Sequence, residues 1–375
     1  MANNNDKKVL NVPALRFPEF ADKWEKGYFK DVCKITTGNK NTQDKDENGL
    51  YPFYVRSQNI ERINTWTFDG EAILTAGDGV GVGKVFHYSI GKIGVHQRVY
   101  ILSNFKCDGK YLYQYFSSRF YNRVKRMSAK NSVDSVRMEM IADMPLYLPS
   151  VGEQHKIGKL LALLDERIST QNKIIEDLKK LKSAIIDKLY SSTNGEIDSF
   201  RQLFEVVNEK NKARAYKNIL SASQELGMIE RSDINIDIKF EQESISGYKI
   251  VHKGDYVVHL RSFQGGFAFS DRTGICSPAY IILRPNDLVV YGYLSHFFTS
   301  KPFIKSLKLV TYGIRDGRSI NVNEWLDMPI LLPPAQEQIR ILTIVNAIDA
   351  KLHNEVKVQF CLSSQKSYLL DTMFI

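Results

Sequence analysis

The feature that most constrains this chain is that it carries one long pattern twice. Sliding Ala142–Tyr190 by 184 positions places it on Leu326–Phe374. Asp143-Met144-Pro145 then falls on Asp327-Met328-Pro329, Leu148-Pro149 on Leu332-Pro333, and Glu153-Gln154 on Glu337-Gln338. Ile157 meets Ile341, Asp165 meets Asp349, Leu178 meets Leu362, Lys182-Ser183 meets Lys366-Ser367, and Asp187 meets Asp371. So many identities at one shift define a tandem duplication, and a duplicated sequence implies a duplicated supersecondary unit. The segments before these stretches repeat more faintly. Phe29–Ile35 resembles Phe200–Val206, Gly83–Phe86 resembles Gly266–Phe269, Gly94–Leu102 resembles Gly274–Ile282, and Tyr111 and Tyr113 fall on Tyr291 and Tyr293. There the shift drifts from about 171 to 184, so the loops differ in length.

The well-matched stretches read as helices. Leu161, Leu164, Ile168, Gln171, Ile175, Leu178, Lys182, Ile185 and Leu189 alternate spacings of three and four, a heptad seam. The second copy places Val345, Ile348, Leu352, Glu355, Gln359, Leu362, Lys366, Leu369 and Met373 at the same slots. Polar residues interrupt both seams, Lys182 with Lys366 and Gln171 with Glu355, as register-setting residues do. Ser150 with Glu153 reads as a capping box, and Ser191–Gly195 as a stop and linker. About 36 residues rise roughly 54 Å. A lone helix would expose its seam, so the two are expected to pair, antiparallel; the plainer reading is two core helices of one domain.

The globular parts alternate apolar and polar residues in short runs broken by glycine. Glu71–Ala76, Lys84–Tyr88 and Val99–Leu102 read as strands and Lys110–Met127 as a helix. In the second copy Asp255–Leu260, Gly266–Phe269 and Ala279–Leu283 read as strands and Tyr291–Leu307 as mainly helical. The expected class is α+β: two similar modules at 1–148 and 196–333, each followed by a long helix, at 149–195 and 334–375. The 19 Tyr and 20 Phe suit half-buried pleated surfaces.

Composition excludes several classes. Cys33, Cys107, Cys276 and Cys361 are far apart, which argues against a disulfide framework or structural zinc and suits a reducing cytoplasm. No apolar run is long enough for a membrane span. With 51 Lys plus Arg against 42 Asp plus Glu, the formal charge of +9 is compatible with a polyanionic partner. Gly77–Lys84 is rich in glycine but is not a phosphate loop: Val85 stands where Ser or Thr is required, and Asp78 where a glycine is required. No nucleophile elbow, H-E-x-x-H or His/Cys metal cluster occurs, so no catalytic or metal residue is assigned.

The paired stretches Asp143–Pro149 with Glu153-Gln154-x-x-Ile157, and Asp327–Pro333 with Glu337-Gln338-x-x-Ile341, each backed by a long helix, resemble the specificity subunits of type I restriction–modification enzymes. Leu15–Phe20 with Trp24 resembles that family's opening segment. The resemblance implies two target-recognition domains, each reading half of a split double-stranded DNA target. The antiparallel helices would set the gap, their length being enough to bridge half-sites about one turn, about 34–36 Å, apart. Two methyltransferase subunits would dock on the helices and hold S-adenosylmethionine. Restriction subunits would use ATP and Mg, and this chain would perform no chemistry. A stand-alone DNA-binding or regulatory protein, or an enzyme with an unrecognised site, are the alternatives.

Candidate base readers are loop residues whose side chains suit two-point hydrogen bonding to guanine or adenine. Module one offers Arg56, Gln58, Asn59, Lys84, His96, Gln97, Arg98, Lys130 and Asn131. Module two offers Gln224, Arg231, His259, Arg261, Gln264, Arg315 and Arg318. Glu153, Gln154, Glu337 and Gln338 are candidates for docking the partner.

Overall fold

A computed structural model of the chain describes residues 12–127, 135–223, 226–233, 242–259, 266–312 and 319–375. It divides into two compact units, residues 1–172 with 357–375, and residues 173–356. Each unit holds one globular module and one half of each long helix, which cuts across the four-segment division expected from sequence.

In the first unit the strands are β1 (Glu25–Tyr28), β2 (Lys34–Thr37), β3 (Tyr51–Tyr54), β4 (Glu61–Ile63), β5 (Phe68–Ala76), β6 (Phe86–Val95), β7 (Val99–Ser103) and β8 (Pro145–Leu148). The helices are α1 (Phe29–Val32), α2 (Gly109–Met127), α3 (Met138–Ala142) and the start of α4 (Val151–Ser191). Six strands form one sheet in the order β2-β7-β5-β6-β3-β4, antiparallel except for β3 beside β6. β1 pairs antiparallel with β8, so the module's two ends meet immediately before α4. Apolar residues at helical spacing on α2, Tyr111, Leu112, Tyr115, Phe116, Phe120 and Val124, are all buried. They pack in one core with Trp24, Phe29 and the seam residues Leu161 and Leu164.

The second unit repeats this order. Its strands are β9 (Glu196–Ser199), β10 (Phe204–Val207), β11 (Leu220–Ser223), β12 (Gly227–Glu230), β13 (Lys249–Val251), β14 (Tyr256–Val258), β15 (Phe267–Phe269), β16 (Gly274–Cys276), β17 (Ile281–Pro285), β18 (Thr311–Tyr312), β19 (Ser319–Ile320) and β20 (Pro329–Leu332). Its helices are α5 (Phe200–Leu203), α6 (Tyr293–Phe297), α7 (Lys301–Ser306), α8 (Val322–Leu326) and the start of α9 (Ala335–Met373). The order β10-β17-β14-β15 reproduces β2-β7-β5-β6, and β9 closes against β20 as β1 does against β8. Phe29 donates its N–H to the Met144 carbonyl at 3.1 Å, and Phe200 donates to that of Met328 at 3.3 Å. The helix expected over Tyr291–Leu307 is broken, because Ser300 caps α7 and Pro302 follows in its first turn. Proline cannot supply the N–H that a continuing helix needs there.

The helices are longer than the seams suggested, 41 residues for α4 and 39 for α9. Every seam position is buried or half-buried. In the first unit the start of α4 lies beside the end of α9: Arg16 binds Glu153 while its neighbour Leu15 donates to the Thr372 carbonyl at 2.9 Å. In the second unit the end of α4 binds the first residue of α6 and the start of α9 binds the chain just before it, Tyr190 on the Tyr293 carbonyl and Gln338 on Val290. The seam lysines have partners: Lys366 pairs with Asp165, and Lys182 with Asp349. The expected capping box at Ser150 does not form, because both oxygens of Glu153 are taken by Arg16 at 2.7 Å.

Candidate nucleic-acid interface

Three loops of the first module converge. β3 leads into residues 55–60, β5 into the glycine-rich turn 77–85, and β6 into 96–98. The turn is drawn close by backbone contacts: Gly77 donates its N–H to the Arg98 carbonyl at 2.8 Å, and its own carbonyl accepts from Val136 N–H at 2.8 Å. Gly79 and Gly83 have φ of +77° and +66°, which glycine adopts without strain. At Gly81 a Cβ would lie 2.3 Å from the Arg56 carbonyl oxygen, so only glycine lets the two loops touch. The N–H groups of Val82, Lys84 and Val85 bond to carbonyls within the turn. A phosphate cradle would need such groups pointing outward, so the turn is structural.

Asp78, not singled out from the sequence, is the hub. Its carboxylate accepts from Arg56 Nη1 at 2.8 Å and lies 3.6 Å from Arg98 Nε. The two guanidiniums are 46% and 65% exposed, so one carboxylate orients two cations and leaves a net positive charge facing solvent. Gln97 donates from Nε2 to Asn41 Oδ1 at 2.7 Å, and Lys84 Nζ sits 5.5 Å from the Tyr121 ring centroid. Gln58, Asn59, Lys84, Gln97 and Arg98 are all exposed. His96 is corrected: it is 5% exposed, and its Nδ1 accepts the Arg98 N–H at 3.0 Å. Burial lowers its pKa, with Arg56 and Arg98 acting in the same direction against Asp78. A buried, neutral ring supports the loop and is not presented to a base.

In the second module Arg231 donates from Nε to Ser221 Oγ at 3.4 Å, beside the β11–β12 hairpin. His259 packs edge-on to Tyr280, 5.2 Å between centroids, and donates its backbone N–H to Gly266 at 2.6 Å. Lys130, Asn131, Gln224, Arg261, Gln264, Arg315 and Arg318 lie outside the described residues.

Three of the four expected docking residues are turned inward. Glu153 has a fully covered side chain and binds Arg16. Gln154 accepts the Asp108 N–H at 3.0 Å and donates to the Pro149 carbonyl at 2.8 Å. Gln338 repeats this, accepting from Val290 N–H at 2.8 Å and donating to the carbonyls of Leu288 and Pro333 at 2.9 Å. These two carboxamides staple each helix start to its own module. Only Glu337 stays partly exposed, paired with Arg340. Among the described residues no cluster of His, Cys, Asp and Glu could hold a metal, and no helix is long and apolar enough to cross a membrane.

Two α+β modules of one plan, each stapled to a long seamed helix, with arginines oriented by a carboxylate on loops of the first, make a duplicated scaffold. Residues 21–180 match the family described as the type I restriction modification DNA specificity domain, so this stretch of the chain is similar to that family. The chain is 26% identical over 178 residues to the type I restriction enzyme EcoDI specificity subunit of Escherichia coli, covering 46% of this chain and 38% of that one. It is 29% identical over 214 residues to the MjaVIII specificity subunit of Methanocaldococcus jannaschii, covering 52% and 48%. The chain thus spans less than half the length of these two relatives. The crystal structure of the type I restriction–modification system S subunit from M. genitalium is similar in fold over 97% of this chain and 99% of that one, with a TM-score of 0.64 at 15% identity.

Proposed function

We propose that this chain is the non-catalytic DNA sequence-specificity subunit of a type I restriction–modification assembly, acting on double-stranded DNA in the cytoplasm. The observation that carries the reading is the Arg56–Asp78–Arg98 cluster on converging loops of the stretch similar to that family. A carboxylate that fixes a guanidinium reduces the entropy lost when that fork meets guanine O6 and N7, and exposed Gln58, Asn59 and Gln97 suit adenine. Each module reads one half of a bipartite target, and the divergence of the modules matches two different half-sites. The helices set the separation and dock two methyltransferase subunits, which bring S-adenosylmethionine. Restriction subunits bring ATP and Mg.

The test is co-expression with a methyltransferase subunit, followed by mapping of methylated adenines. One bipartite sequence is expected. Arg56→Ala with Arg98→Ala is expected to degrade one half-site and leave the other intact. Methylation without sequence preference, or equal change in both halves, refutes the reading. Tight sequence-specific binding by the isolated chain, with no partner complex, would favour a stand-alone regulator instead.

A further inference from the structure

The duplication makes it possible to compare one surface in two states. In the first unit the start of α4 is covered by residues 15–20. Arg16 gives Nε and Nη2 to the two oxygens of Glu153 at 2.7 Å, and Glu19 pairs with Lys156. Lys156 Nζ also lies 4.9 Å from the Phe17 ring centroid and 6.0 Å from that of Phe20. The covering segment therefore presents an arginine, an aromatic ring and a carboxylate to an acid and a base one helical turn apart.

At the start of α9 in the second unit the acid and the base are retained as Glu337 and Arg340. There the Glu337 side chain is 35% exposed, against 0% for Glu153. Arg340 folds back to grip both oxygens of Glu337 at 2.7 and 2.6 Å, the grip that Arg16 supplies in the first unit. On strand β20, which ends just before α9 begins, Leu331 is 40% exposed, and Ile197 of β9, in register with it, 77%. The corresponding first-unit positions are Tyr147 and Lys26.

We infer that the Glu337–Arg340 pair at the start of α9 docks an extended segment of another protein chain that carries an arginine, an adjacent aromatic ring and a carboxylate three residues after the arginine. Charge complementarity sets the occupant: Glu337 takes the incoming arginine, and the released Arg340 takes the carboxylate and an aromatic face. This chain's own segment is held on the first unit, where tethering gives it an effective concentration that a free site elsewhere does not match. A segment in trans is therefore the occupant. The inference does not depend on DNA reading, and its test contains no DNA.

The probe is a fluorescently labelled synthetic peptide with the sequence of residues 13–24, titrated into the full chain and followed by anisotropy. Saturable one-to-one binding is expected, weakened at least about tenfold by Glu337→Gln, the loss expected for one charge-assisted pair. Circular dichroism establishes that the variant is folded. Absence of binding overturns the inference, and so does binding that Glu337→Gln leaves unchanged, which would place the peptide on the first unit.

Discussion

Replacing Arg16 by Met tests how the first unit holds its opening segment. Methionine keeps most of the apolar stem and removes the guanidinium. The Glu153 carboxylate, with 0% of its side chain exposed, then loses both of its 2.7 Å partners. Breaking a fully buried ion pair on one side costs about 3–5 kcal/mol. Arg16 keeps 14% of its side chain exposed, so solvent already screens that edge and reaches the carboxylate once the long side chain is gone. The expected loss is therefore smaller, about 2–3 kcal/mol. Arg16→Met with Glu153→Leu removes both charges and is expected to return to within about 1 kcal/mol of the parent, because no buried charge is left unpaired. Equilibrium unfolding in urea, read by the fluorescence of Trp24 and Trp66 in a Trp325→Phe background, reports the first unit. A loss below about 0.5 kcal/mol for the single variant, a surface-like value, would refute the argument. A double variant no more stable than the single one would refute it equally.

Three further outcomes follow from the same geometry. Gln338→Leu leaves the Val290 N–H and the Leu288 and Pro333 carbonyls without their side-chain partner, at a cost of about 2–4 kcal/mol in urea unfolding. Gly81→Ala drives a Cβ to 2.3 Å from the Arg56 carbonyl, so methylome mapping is expected to show the first half-site relaxed and the second retained. His87 is held below the usual histidine range by burial, partly opposed by the Ser57 carbonyl. Its neutral form is favoured in the folded state, so its contribution is complete above about pH 6.5 and is lost as pH falls through the lower folded value. The urea midpoint is expected to drop between pH 7.5 and 5.5, and less steeply in His87→Phe.

What could be read from sequence was what repeats or has a period. The seam positions from Leu161 to Leu189 and from Val345 to Met373 are all buried or half-buried because spacings of three and four admit one helical solution. Strands β5 and β7 were legible from apolar runs bounded by turn residues. The break between α6 and α7 was signalled by Ser300-Lys301-Pro302 and hidden by the aromatic run before it. Contacts between distant residues carried no local signal. Asp78 is 22 and 20 positions from the two arginines it orients, and only the fold brings them together. Glu153 and Gln154 were visible as a repeated motif, but repetition alone does not tell a staple from a docking residue. Burial and hydrogen bonding decide that, and they divide Glu153 from its own repeat mate, Glu337.

The seam lysines show how a duplicated sequence stabilises itself. Lys182 and Lys366 are repeat mates, and so are Asp165 and Asp349. The ion pairs are Asp165 with Lys366 in the first unit and Lys182 with Asp349 in the second, so each joins an acid of one copy to a base of the other. One acid and one base on a single ancestral helix, once copied and set antiparallel, produce both pairs without further change. A polar slot in an apolar seam costs stability when it is unmatched. Shifting either helix by one heptad separates both pairs at once, and that penalty selects one register. The surroundings of the two acids differ: Gln114 donates to Asp165 at 2.6 Å, whereas His296 stands 3.9 Å from Asp349. The pairing that fixes the helices is thus common to both copies, while the module packed on each pair has diverged, which is what the proposed reading of two different half-sites requires of one scaffold.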